Sequence, residues 1–106
     1  MPAQDFGTPF SATATHATAA VASNAGVAKS THYITQVSVS SDKAGAILLI
    51  KQGTTTIWQE QIGADDSGVR VFDPPLKGAL GALVSVEIDG TSACKANING
   101  FTLTQP

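Results

Sequence analysis

A glycine-centred turn between two β-rich runs sets the first constraint on the fold: Ile47-Leu48-Leu49-Ile50 precedes Lys51-Gln52-Gly53-Thr54, and Thr55-Thr56-Ile57-Trp58 follows it. Glycine takes a positive φ without steric cost and β-branched threonines resume extended backbone, so residues 46–62 predict a β-hairpin. Its first arm is apolar on both faces, as expected of a strand covered on both sides. Trp58, the single tryptophan, falls in this densest apolar stretch and is expected in the core.

The segments around the hairpin repeat the period of two. From Lys29 onward, Tyr33, Thr35, Val37 and Val39 share one face, read as inward, and His32, Ile34, Gln36 and Ser38 share the other. Ser40 to Lys43 is a polar turn, residues 63–68 are a loop, and Val69 to Phe72 is a short strand. In Asp73-Pro74-Pro75-Leu76-Lys77-Gly78, two consecutive residues lack backbone donors, so a rim crossover between sheets is expected there. Leu80 to Ile88 alternates again, with Ala82, Val84, Val86 and Ile88 inward. The last strand, from about Ala93 to Thr104, has Gly100 as the mark of a bulge. Roughly seven strands spaced by about ten residues, with no amphipathic helix, predict an all-β antiparallel β-sandwich. A jelly-roll-like topology is favoured by the long strands and the Pro-Pro segment; the alternative is an immunoglobulin-like sandwich, although the paired cysteines of antibody domains are missing.

The N-terminal third has a different composition. Residues 1–10 carry Pro2, Gly7 and Pro9, and residues 11–31 are dominated by Ala, Ser and Thr. The Thr/Ser alternation favours pleated backbone over helix, and Asn24-Ala25-Gly26 signals a turn. Residues 1–30 are therefore expected to form an extended arm beside a sandwich domain of residues 31–106. Phe6 and Phe10 are the candidate partner-interface residues. Large aromatics on such an arm either pack back on the parent domain or insert into a partner, and composition does not choose between the two.

Charge excludes several functions. Only 13% of the 106 residues are charged and the net charge is −2. The surface is therefore largely neutral, which suits a subunit covered by neighbours. Six scattered basic residues make no stripe for a phosphate backbone, so nucleic acid is not an expected partner. No apolar run approaches the roughly 20 residues of a membrane span. Met1 to Phe6 lacks a charged n-region and an apolar h-region, so no signal peptide is expected. Cys94 is the only cysteine, which fits assembly in a reducing cytoplasm, and it reads as a small buried strand residue.

Catalytic signatures are missing as well. The sequence contains no nucleophile elbow, phosphate loop or HExxH, and His16 and His32 are not spaced as metal ligands. Asp65 and Asp66 lack the pattern of a calcium loop, and Glu60 and Glu87, the only glutamates, are expected as exposed strand acids. No enzyme activity, cofactor or metal is expected.

Four segments, His32-Tyr-Ile-Thr-Gln-Val-Ser-Val-Ser, Leu49-Ile-Lys-Gln-Gly-Thr-Thr-Thr-Ile-Trp, Pro75-Leu-Lys-Gly-Ala-Leu-Gly-Ala-Leu-Val-Ser-Val-Glu and Ala96-Asn-Ile-Asn-Gly-Phe, together resemble small structural proteins of tailed bacteriophages. The resemblance spans about residues 30 to 103. It implies a head decoration (cement) protein of β-sandwich or jelly-roll type that stabilises an assembled capsid. Its partners would be the major capsid protein and further copies of itself, with a homotrimer favoured over a homodimer, and its location the capsid surface of a virion assembled in the host cytoplasm. The alternative is a receptor- or glycan-binding head of a tail or fibre protein, with Trp58 or Tyr33 as an exposed stacking platform.

Overall fold

The fold is given by a computed structural model that describes residues 7–62 and 66–104, with backbone alone at 66 and 67. Eight strands follow in order: β1 (Thr8–His16), β2 (Ala19–Asn24), β3 (Ser30–Ser41), β4 (Ile47–Gln52), β5 (Thr55–Gln61), β6 (Asp66–Lys77), β7 (Val84–Asp89) and β8 (Cys94–Thr104). They form two four-stranded antiparallel sheets, β1-β8-β3-β6 and β2-β7-β4-β5. First pairs with last, β2 with β7, β3 with β6 and β4 with β5. That nesting is a long hairpin ribbon rolled over itself, the jelly-roll order; an immunoglobulin sandwich distributes its strands differently.

The core lies between the sheets. Leu48, Ile50, Val84, Val86 and Ile88 face Ile34, Val37, Val39, Ala96 and Ile98, all essentially inaccessible. The expected hairpin closes at Gly53, the first of two loop residues, with φ +58°, as a type II′ turn requires.

Several expectations change. Residues 8–24 supply a strand to each sheet, so the chain does not divide into arm and domain at residue 30. The run is extended, as its composition indicated, but β8 and β7 pair with it along its length. The partly buried Ala12 and Ala14 and the buried Ala20 and Ala22 turn into the core, where β1 packs against β2 and small side chains let the sheets converge. The expected alternation in β3 holds from Gln36 onward, with Val37 and Val39 inward and Gln36 and Ser38 outward. A bulge at Thr35 shifts the register in both ladders, turning His32 and Ile34 inward and Tyr33 outward.

The Pro-Pro segment is not a crossover; it lies within β6, an edge strand. Pairing resumes at Leu76 after Val71, so Phe72 to Pro75 bow away from β3 and the missing donors face no partner. The Asp73–Pro74 peptide is cis. Leu80 and Gly81 form a turn, and the seventh strand starts only at Val84.

Candidate interaction surface

The two outer faces differ in charge. On the β2-β7-β4-β5 face, Val21, Glu87, Leu49 and Gln59 form one cross-strand row. Lys51 Nζ lies 3.1 Å from Glu87, and nearby Lys43 Nζ lies 2.6 Å from Asp89. The Lys43 ammonium, followed by the Ile47 N–H, holds the Asp89 carboxyl below its ordinary range. Among the described residues no second layer covers Ile47, which is 39% exposed, so they do not supply the cover expected on the outer side of β4.

The β1-β8-β3-β6 face is built from hydroxyls, amides and two aromatics. Its rows are Thr13–Asn97–Ser38–Val69, Ser11–Asn99–Gln36–Val71 and Pro9–Phe101–Tyr33–Lys77, with Thr15–Lys95–Ser40 at one end. No carboxylate stands in these rows. Asn97 donates to the Thr13 hydroxyl at 2.7 Å and to the Ala12 carbonyl at 3.1 Å, and Asn99 donates to Asn97. Bonded to one another, these amides make a set surface. The Tyr33 and Phe101 rings stack at 5.1 Å and 9°, adjacent because their Cα atoms pair across the ladder. Val71 is 71% exposed and Val69 half-exposed. Exposed apolar atoms away from the lysines at the two ends of the face are what a protein partner covers at low desolvation cost.

Phe10, one of the two residues singled out in the sequence, sits on the inner side of this sheet opposite Gly100. Its half-buried ring packs against the core and meets His32 edge-to-face at 5.3 Å. Of its two open roles, the described residues place it back on the parent domain. Phe6 lies outside the described residues.

His32, buried by the bulge, donates from Nε2 to the Ala25 carbonyl at 2.7 Å, while Nδ1 pairs with the Thr102 hydroxyl at 2.6 Å. With both ring nitrogens engaged, it ties β3 and β8 to the turn after β2 and has no free nitrogen for a metal.

The β5–β6 side is plugged by large side chains, in contrast to the alanines of the β1–β2 side. Trp58 meets Phe72 edge-to-face at 5.2 Å, and the Arg70 guanidinium bonds Glu60. This bond, with the attraction of the Glu60 charge, raises the Arg70 pKa. Trp58 remains 39% exposed, so it caps a seam rather than filling the core. Glu60 is no outward strand acid either: it pairs with buried Leu48 and points into the seam, where Oε2 finds no partner among the described residues. Trp58 and Glu60 share one face of β5, and the register shift after Ile50 turns that face inward, opposite Ile50 and Leu48.

At one end of the roll Asp42 accepts bonds from the Ser92 hydroxyl and the N–H groups of Thr91 and Ser92, which hold its carboxyl well below the usual range. Buried Cys94 donates from Sγ to the His16 carbonyl at 3.2 Å. Among the described residues, no three His, Cys, Asp or Glu side chains group as a metal site. Asp65 lies outside the described residues.

Fold and surface together define a small jelly-roll domain with one charge-paired face and one face whose rows hold no carboxylate and carry Lys77 and Lys95 at their ends. Compared with protein-family models and with curated proteins, the chain matches none.

Proposed function

We propose that this chain is a non-enzymatic virion structural subunit, a head decoration protein that self-associates and seats the β1-β8-β3-β6 face on a lattice of major capsid protein. The carrying observation is the charge asymmetry: the carboxylates of one sheet are paired with lysines, whereas the rows of the other hold no carboxylate and present hydroxyls, amides, Tyr33–Phe101 and exposed valines, with Lys77 and Lys95 at the two ends. The resemblance of residues 30 to 103 to phage structural proteins supplies the lattice as partner. Assembled shells lacking this subunit are the test. The wild-type chain should co-sediment saturably with them and raise their heat resistance. Val71→Lys should abolish binding without unfolding the domain, whereas Val21→Lys on the opposite sheet should bind normally. Equal binding by both variants would remove the face from the proposal, and no binding by the wild type would remove the lattice.

A second reading keeps one specific observation. The exposed portion of Trp58 beside Phe72 leaves an aromatic accessible at the seam, as a glycan-binding tail or fibre head requires. A glycan-array signal lost in a folded Trp58→Ala variant would favour it, and an array without signal would discard it.

A further inference from the structure

The four sheet edges of this chain are not equally protected against pairing. β6 is interrupted by the bow at Phe72 to Pro75 and carries Arg70 and Lys77; β5 carries a register shift and Glu60. Bulges, prolines and charges are the devices by which edge strands avoid extra partners. β1 carries none of them beyond Pro9 at its start. Its nine residues pair with β8 without a register shift, and Phe10 to Ala14 is an uncharged run. In an antiparallel strand alternate residues turn their N–H and C=O groups away from the neighbour, and among the described residues no strand meets those of β1.

We propose that β1 pairs antiparallel with β1 of a second copy about a twofold axis, joining two four-stranded sheets into one of eight. A strand is the occupant because the open groups are a row of backbone donors and acceptors. A second copy is the occupant because the edge is self-complementary. Antiparallel self-pairing sets Ser11, Thr13 and Thr15 against the same residue types, with no like charges opposed, although each chain carries net −2. β2, on the same side of the sandwich, is likewise uncharged, and its Val21 is 48% exposed. Pairing also makes the β1-β8-β3-β6 face continuous across two copies. The inference rests on the self-association in the proposed function and not on the capsid, and it replaces the expected threefold with a twofold.

Hydrogen exchange and sedimentation test this without any capsid. In the wild-type chain at micromolar concentration, consecutive amides from Phe10 to Thr15 should be protected, since a strand paired on both sides shields every N–H; alternating protection would overturn the proposal. Sedimentation should give a dimer. The Ser11→Lys/Thr15→Lys double variant should weaken dimerisation on the order of tenfold or more, from like charges facing each other at low salt. An equimolar mixture with Ser11→Glu/Thr15→Glu should restore the dimer. A monomeric wild type, a trimer, or a dimer indifferent to both variants would overturn β1 pairing. Because shell binding is measured separately, a monomer that still decorates shells would sink this inference and leave the proposed function standing.

Discussion

Gly100 and Gly53 are required for different reasons, and the difference is measurable. A Cβ at position 100 would stand 2.0 Å from the Tyr33 carbonyl oxygen and 2.7 Å from Phe10 Cζ, so backbone must move to admit it. At Gly53 nothing lies within 4 Å, and the only cost of a side chain is the left-handed φ of +58°. Gly100→Ala should therefore cost about 3 kcal/mol or more, and Gly53→Ala about 1 to 2, by urea denaturation. Equal losses would show that the approach of β3 to β8 is softer than described. Asp42 gives a pH signature. Its folded carboxyl titrates below the ordinary value of 3.8, so in that interval the unfolded chain binds a proton that the folded chain does not. Its contribution to stability is then complete above the ordinary value and is lost as pH falls through the folded one. Asp42→Asn should be less stable than wild type at neutral pH, and the gap should close on acidification below about pH 4. A gap independent of pH would contradict the role given to the Ser92 hydroxyl.

At the scale of elements, magnitudes separate the core from the seam. Leu48 is inaccessible between the sheets, and Leu48→Ala should cost about 2 to 5 kcal/mol. Trp58, although larger, is 39% exposed and caps the β5–β6 opening, so Trp58→Ala should cost less than Leu48→Ala in the same denaturation series. The reverse order would return Trp58 to the core, where its sequence context placed it. The hairpin, the sandwich class and the inward set of β7 were legible because turn chemistry and period two are local signals. What was not legible followed from single-residue slips. The bulge at Thr35 exchanged the faces of Tyr33 and His32, and the shift beside Ile57 sent Glu60 and Trp58 into the seam. The bulge expected at Gly100 in the last strand lies instead in the strand opposite it, at Thr35 of β3, more than sixty residues away in sequence. The strand roles of residues 8–24 were hidden for another reason: alanines bury little area each, and only the convergence of β1 on β2 makes them the right size for a core. Phe10 was legible as an aromatic needing a home, but its home, beside His32, required the bulge.

At the scale of the molecule, the roll has a charge-paired face, a carboxylate-free face, one lateral side plugged by Trp58, Phe72, Arg70 and Glu60, and an opposite side closed by alanines. This arrangement gives a partner two surfaces without carboxylates to desolvate, the β1-β8-β3-β6 face, whose lysines stand at its two ends, and the adjoining uncharged β1 edge. Under the proposed function these surfaces serve a place in a shell. An electron-microscopic reconstruction of the intact particle that carries this chain tests it most directly. Jelly-roll density is expected on the outside of the head, with the β1-β8-β3-β6 sheet turned toward the capsid lattice. Density confined to the tail or fibre, or a head-bound roll resting on its β2-β7-β4-β5 face, would contradict it.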